Sequence, residues 1–302
     1  MSKDLHGADL MGRDLRGIDL SQADLSDAKL VGSNLEGANL RGANLKNCEL
    51  LRANLKGADL TECDATSAGF GNADLSRATL FGAQLESATF TKATLSDSDL
   101  RSTKLHNARL RDCDLSGADL SRADLSGADL TGARVNRAHF FDADLSGARL
   151  SGIREYSAAD WIGADIVAAD FCGEYMARRM IADQNYLYEF RTQSRANTVA
   201  YWIWWATSDC GRSLARWGAW IAVIVMAFAG IYQFVEIDFG AYRTPLSPIY
   251  FSVVTLTTLG YGDVLPISMP AQLVAMAQVF LGYVMLGGLL SIFANKMARR
   301  AD

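Results

Sequence analysis

The chain has 302 residues, a net charge of −5 and hydrophobic residues at 50% of its positions. That length admits two domains, and so mild a charge argues against a nucleic-acid partner or an acidic tail. The apolar residues are unevenly placed, since every long uncharged run follows residue 216.

The amino terminus, Met1 to Asp9, is polar and has no apolar core segment. This predicts no secretory signal and a cytoplasmic first domain. From Leu5 to Leu150 every fifth residue is apolar; of these 30 positions 25 are Leu, and the rest are Ala65, Phe70, Phe90, Val135 and Phe140. Two residues earlier stands a small residue, Ala at 21 of 30 positions and Cys, Ser or Thr at 6 more. Ala123-Asp124-Leu125-Ser126-Gly127 is one such unit. A period of five fits neither the 3.6 of a helix nor the 2 of an ordinary strand. It implies a coil with several equivalent sides, each turning one large and one small residue inward. The repeat resembles the pentapeptide-repeat family, and the resemblance covers about half of the chain. It implies an all-β, right-handed quadrilateral β-helix with four repeats to the coil. Thirty repeats would give a rod roughly 35–40 Å long at about 4.8 Å per coil.

Cys48, Cys63 and Cys113 occupy the alanine slot and read as small buried hydrophobes. No C-x-x-C or Cys/His cluster appears, so neither a zinc site nor a disulfide framework is expected. Asp or Asn, where it precedes the leucine, suits a turn and can bond local backbone. After Leu150 the register slips by one, and Trp161, Ile166 and Phe171 carry the period. This predicts a bulge at about 153–158 and a last coil ending near residue 173. Some pentapeptide-repeat proteins mimic DNA, but residues 1–152 hold 22 acidic and 18 basic side chains with mixed signs. No duplex-like field follows. A scaffold that docks a protein or ligand is expected instead. His6, His106 and His139 lie in the repeats with no acid–nucleophile arrangement, and no enzyme is expected.

Residues 174–216 lose the repeat. Met176, Met180, Leu187 and Phe190, with Tyr186, recur at helical spacing and predict a helix that covers the open end of the solenoid. Tyr201-Trp202-Ile203-Trp204-Trp205 suits either a membrane–water interface or a packing surface. Asp209-Cys210-Gly211 predicts a turn.

Residues 217–302 contain two spans. Positions 217–235 carry no charge, close to the roughly 20 residues a bilayer demands. Positions 264–295 are also uncharged, and 271–294 can span. Arg212 and Arg216 before the first span, with Lys296, Arg299 and Arg300 after the second, predict both ends in the cytoplasm and multi-pass insertion in the cell membrane. Between the spans, 247–258 predicts a short re-entrant helix begun near Pro245 and Pro248. Thr258-Leu259-Gly260-Tyr261-Gly262-Asp263 follows. The run resembles the selectivity filter of potassium channels, in which backbone carbonyls replace a cation's hydration shell.

The resemblance implies an all-α, two-transmembrane pore domain with a re-entrant pore helix, assembled as a homotetramer in membrane lipid. Potassium ions are the permeant species, with no cofactor. The ion sites fall on Thr258, Leu259, Gly260, Tyr261 and Gly262, where Leu259 replaces the family's usual valine or isoleucine. Tyr250 and Phe251 stand at the family's filter-bracing aromatic pair, with Asp263 as further support. Val254 stands where some members have a buried carboxylate. Gly282 falls at the family's inner-helix bend, and Tyr283, Leu286, Leu290 and Ala294 at the inner cavity. The sequence thus predicts a tetrameric potassium-selective channel with a cytoplasmic pentapeptide-repeat scaffold or regulatory domain. The alternatives are a non-selective cation channel and a membrane-anchored interaction scaffold.

Overall fold

The computed structural model of the chain describes residues 4–211, 213–240 and 243–301, with side chains as far as Ala294. Arg212 and the side chains of Lys296, Arg299 and Arg300, used above for orientation, lie outside the described residues. The chain divides into two compact units, Met1–Glu189 and Phe190–Asp302.

Corner geometry explains how a period of five folds. The carbonyl of each large residue accepts the N–H three residues on, as in Ala8 N–H to Leu5 O at 3.0 Å. Gly7, inside that turn, has φ +62°, as the third residue of a type II turn requires. The acidic slot supports the same corner. Asp24 Oδ1 accepts the Ser26 N–H at 3.0 Å and its hydroxyl at 2.7 Å. Each side then pairs in parallel with the residue 20 positions later, from Asp4↔Asp24 to Arg134↔Arg154. Four five-residue steps therefore complete one coil.

The interior is the predicted pair of columns. From Leu20 to Leu150 every fifth residue is at most 2% exposed. Aromatic residues substitute in stacked pairs one coil apart, Phe70 on Phe90 at 4.8 Å and Phe140 on Trp161 at 4.2 Å between ring centres. Cys48, Cys63 and Cys113 are buried. Burial pushes the Cys48 and Cys63 thiols up to about 12 and raises that of Cys113 as well, so none is a thiolate near neutral pH. The register slip falls where the sequence puts it. A 3-10 turn, Tyr156–Ala158, absorbs one residue, and His139 then pairs with Asp160.

Helix α1 (Tyr175–Gln193) follows the last coil and covers it, but with a different face from the one its long apolar residues suggest. Ala177 and Ile181 are fully buried and Met180 packs beside them, whereas Met176 and Tyr186 are exposed. The reason is polar. The last coil has no further coil to take its backbone groups, and α1 supplies substitutes. Gln184 Oε1 accepts the Trp161 N–H at 3.1 Å, Asn185 Oδ1 accepts the Gly163 N–H at 2.9 Å, and Asn185 Nδ2 donates to Ala164 O at 3.2 Å. Small Ala177 lets the helix approach closely enough for these bonds.

The second unit begins within the last turn of α1 and continues with α2 (Arg195–Ser208), capped by Ser194, whose hydroxyl accepts the Asn197 N–H at 3.1 Å. The predicted turn at Asp209, Cys210 and Gly211 has three positive φ angles in succession, 54°, 53° and 81°. It leads into α3 (Leu214–Ile231). Short strands β1 (Ile237–Asp238) and β2 (Leu265–Pro266) pair antiparallel around α4 (Ser247–Leu256), and α5 (Met269–Ala301) completes the unit. Both long helices are apolar enough to cross a bilayer, and only 11% and 17% of their apolar windows are buried. A soluble core helix would be mostly covered, so these faces need lipid or protein around them. Two small clusters hold the helices together: Trp217, Met285 and Ile292 at one end, and Tyr232, Phe251 and Val264 at the other. Trp217 Nε1 donates to Met285 O at 3.0 Å. Its ring lies so close to Gly288 that a Cβ there would meet it at 2.2 Å.

Two outcomes check the solenoid account. In Asn185→Ala the Gly163 amide should exchange with deuterium at least about tenfold faster, since its only acceptor among the described residues is lost at a cost of roughly 1–3 kcal/mol, while the Leu60 amide stays protected. Asp129 gives the pH test. Burial by itself would raise its carboxyl, but bonds from Thr131 and from the Arg111 guanidinium at 2.6 Å outweigh that and hold it below the ordinary range. A carboxylate depressed by folding adds stability above its unfolded value and loses it as pH falls through the folded one. Acid unfolding of the solenoid, followed by circular dichroism, should therefore be shallower in Asp129→Asn.

Candidate functional site

Helix α4 stops for a definable reason. After Leu256, Thr258 N–H donates to Thr255 O at 3.1 Å and Leu259 N–H to Val254 O at 3.1 Å, while Thr258 has φ +59°. These two bonds with a left-handed residue after the cap make a Schellman motif. Glycine is usual at that place, and for a β-branched residue such a φ is a genuine outlier. Thr258 therefore holds a strained backbone directly at the mouth of the loop.

Beyond it, every second residue is left-handed: Thr258 at +59°, Gly260 at +50° and Gly262 at +77°. Residues 257–263 are all exposed, including Leu259 at 58% and Tyr261 at 66%. Among the described residues, no hydrogen bond ends on the carbonyl of Thr258, Leu259, Gly260, Tyr261 or Gly262. Five consecutive free carbonyls lie between two helices of membrane length.

The loop returns to the scaffold at Asp263. Tyr250 Oη donates to Asp263 Oδ2 at 2.7 Å, which ties the middle of α4 to the far end of the loop. Gly240 stands so near that a Cβ would meet Asp263 O at 3.2 Å. Phe251 has a separate place, buried against Tyr232 with ring centres 4.8 Å apart. Val254 is buried on the same helix.

On α5, Tyr283, Leu286, Leu290 and Ala294 are all exposed and follow one another at helical spacing. Thr258, Gly282, Tyr283 and Leu286 share one cavity of about 170 Å³ with Leu256 and Met285, and Leu290 and Ala294 lie beyond it along the helix. Helix α5 runs unbroken through Gly282. That glycine permits a close approach, since a Cβ there would stand 2.1 Å from Leu256 O, at the end of α4.

Sequence reasoning passes over one constellation. Gln278, Ser252 and Tyr232 are at most 1% exposed and hydrogen-bonded together behind α4. The available signal is Gln278 itself, an amide in a long uncharged run.

Residues 4–154 match the pentapeptide-repeat family in four stretches with eight copies, and residues 220–299 match the ion-channel family. Among curated proteins, the chain is 32% identical over 97 residues to two-pore potassium channel 1 of Arabidopsis thaliana. It is 44% identical over 57 residues to two pore potassium channel b of rice, Oryza sativa subsp. japonica. These matches take in 32% and 19% of this chain and only 27% and 16% of those relatives' length. Among solved structures, HetL, a pentapeptide-repeat protein involved in heterocyst differentiation regulation in the cyanobacterium Nostoc, is 34% identical with a TM-score of 0.43. That likeness covers 56% of this chain and 80% of HetL. The family match over half of the chain and the fold of residues 4–171 agree: the chain belongs to the pentapeptide-repeat proteins, and carries at its carboxyl end a domain of the ion-channel family.

Proposed function

We propose that the protein is a potassium channel in which four copies of residues 217–302 surround one pore. The observation that carries this is the run of five carbonyls without donors among the described residues, Thr258 to Gly262, on an exposed non-helical loop between two apolar helices. Non-helical backbone at membrane depth survives only against protein or a water-filled cavity. Left-handed residues at every second position favour alignment of backbone groups of one kind along one side. Carbonyls gathered so from four copies replace the water around a dehydrating cation. One loop cannot enclose an ion, and the bare side chains of Leu259 and Tyr261 call for neighbouring copies to cover them.

Helix α4 enters and leaves from one side, as a re-entrant pore helix, with its carbonyl end towards the ion path, where its dipole favours cations. Tyr250 and Asp263 brace the filter from behind. Tyr283, Leu286, Leu290 and Ala294 line the inner cavity, and the apolar pair Leu290 and Ala294 near its inner end closes the path by dewetting. Gly282 serves as the bend of α5 when the path opens. Both chain ends lie in the cytoplasm of a cell-membrane protein. There the right-handed four-sided solenoid docks a protein or ligand and takes no part in conduction. Helix α2 lies in the membrane–water interface. Val199, Trp202, Ile203 and Trp205 are exposed on it, and the Arg216 guanidinium sits over the Trp205 ring at 5.4 Å, an arrangement suited to lipid headgroups.

Flux through the purified full-length protein in liposomes tests this. Potassium should exceed sodium by at least about tenfold, a differential of roughly 1.4 kcal/mol. Gly260→Ala, which forces a Cβ onto a left-handed residue, should abolish that preference while the protein still assembles. Equal permeation of both ions in the wild type would favour a non-selective cation pore, which Leu259 in place of the usual β-branched residue makes the second reading. No flux at all would leave a membrane-anchored scaffold.

A further inference from the structure

A polar amide inside an apolar span needs a physical reason. Gln278 lies in the uncharged run 264–295 and has no exposed surface. Its amide is engaged on both sides. Nε2 donates to Ser252 Oγ at 2.7 Å and to Ser252 O at 3.1 Å. Oε1 accepts the Tyr232 hydroxyl at 2.6 Å. The Ser252 hydroxyl in turn donates to Val225 O at 2.9 Å. One side chain thus joins α3, the turn after it, α4 and α5.

The contact is in register with a second one. Gln278 faces Ser252 and, one helical turn on, Gly282 faces Leu256, where a Cβ would overlap the carbonyl at 2.1 Å. Helix α5 therefore grips α4 at two successive turns, first by directed hydrogen bonds and then by close approach. Leu256 is the last residue of α4 and Thr258 follows within the Schellman turn. Any rotation or slide of α4 about its axis carries the five carbonyls with it.

Net stability does not account for the amide. Hydrogen bonds between helices in a membrane add little, and an apolar side chain of similar volume would fill the same space, losing the bond that the Tyr232 hydroxyl makes to Oε1. What the amide supplies, and leucine would not, is direction. A fully satisfied buried network admits one geometry.

We infer that Gln278 is a positioning residue for ion selection: through Ser252 it fixes the height and rotation of α4, and so the placing of the Thr258–Gly262 carbonyls. The inference rests on the channel function proposed above. It assigns to Gln278, held by Tyr232, a bracing of the pore helix from the side away from Tyr250 and Asp263.

The test uses the full chain in liposomes, with wild type, Gln278→Leu and Tyr232→Phe compared at low and high potassium. In Gln278→Leu the potassium-over-sodium flux ratio should fall by about threefold to fifteenfold, the span of one interhelical hydrogen bond. Raising potassium should restore part of the loss, because ions that bind only the ordered loop favour it by mass action. Tyr232→Phe keeps the ring and removes one hydroxyl, leaving Gln278 Oε1 without its donor. It should shift the ratio the same way by less, and it decides the matter if Gln278→Leu fails to assemble. Assembled variants with the wild-type ratio at every potassium concentration overturn the inference. So does a loss that potassium leaves unchanged, since a merely structural role would behave that way. A wild-type protein that does not select potassium overturns the channel function first, and this inference with it.

Discussion

The constraint on which the second unit depends is that a main-chain carbonyl in an apolar layer must find a partner. Helices α3 and α5 meet it internally along their length, the last turn of each excepted. Residues 258–262 do not: their five carbonyls accept nothing from the described residues. Almost everything around them serves to hold that unsatisfied stretch in place. The Schellman turn at Thr258 stops α4 sharply, Tyr250 ties back Asp263, and Gly282 and Gln278 press α5 onto α4. Strain at a non-glycine left-handed residue persists only where the surroundings over-determine it, and Thr258 has such surroundings.

The first unit solves the same problem in the opposite way. Each coil donates its backbone hydrogen bonds to the next, as in Leu25 N–H to Asn44 O at 2.8 Å. The sum closes within one chain everywhere except at the ends, and at the last coil Gln184 and Asn185 stand in for the missing neighbour. The solenoid thus satisfies its backbone coil by coil within one chain, whereas in the proposed channel the loop at 258–262 relies on further copies. The two halves of the chain thus differ in what they ask of other molecules, and that difference fits a conducting assembly with an appended docking surface.

Much of this was legible from residues alone. The leucine period, the alanine slot and the slipped register after Leu150 follow from side-chain size, which a repeat displays openly. The two spans follow from missing charge, though α3 runs from Leu214 to Ile231, displaced from the uncharged run 217–235 because Ser213 caps it by accepting the Arg216 N–H at 3.2 Å. What stayed hidden was directional. Ala177 and Ile181, rather than Met176, cover the solenoid end, where the last coil's hydrogen bonds with Gln184 and Asn185 hold α1. The helix end near Thr258 is expected, but the left-handed Schellman geometry of Thr258 is not, because its β-branched side chain disfavours it. Gly282 meets a carbonyl 26 positions earlier in the chain, at Leu256, and Gln278 gathers three helices. Hydrophobic spacing records which faces are buried and says nothing of which polar atoms meet.

The most direct test is to locate the ions. Thallium scatters anomalously and substitutes for potassium on carbonyl oxygens, so a map of the assembled protein in thallium would show them. Discrete peaks on a four-fold axis, level with the carbonyls of Thr258 to Gly262, are predicted. A loop turned towards lipid, or an axis without ions at that level, would contradict the account.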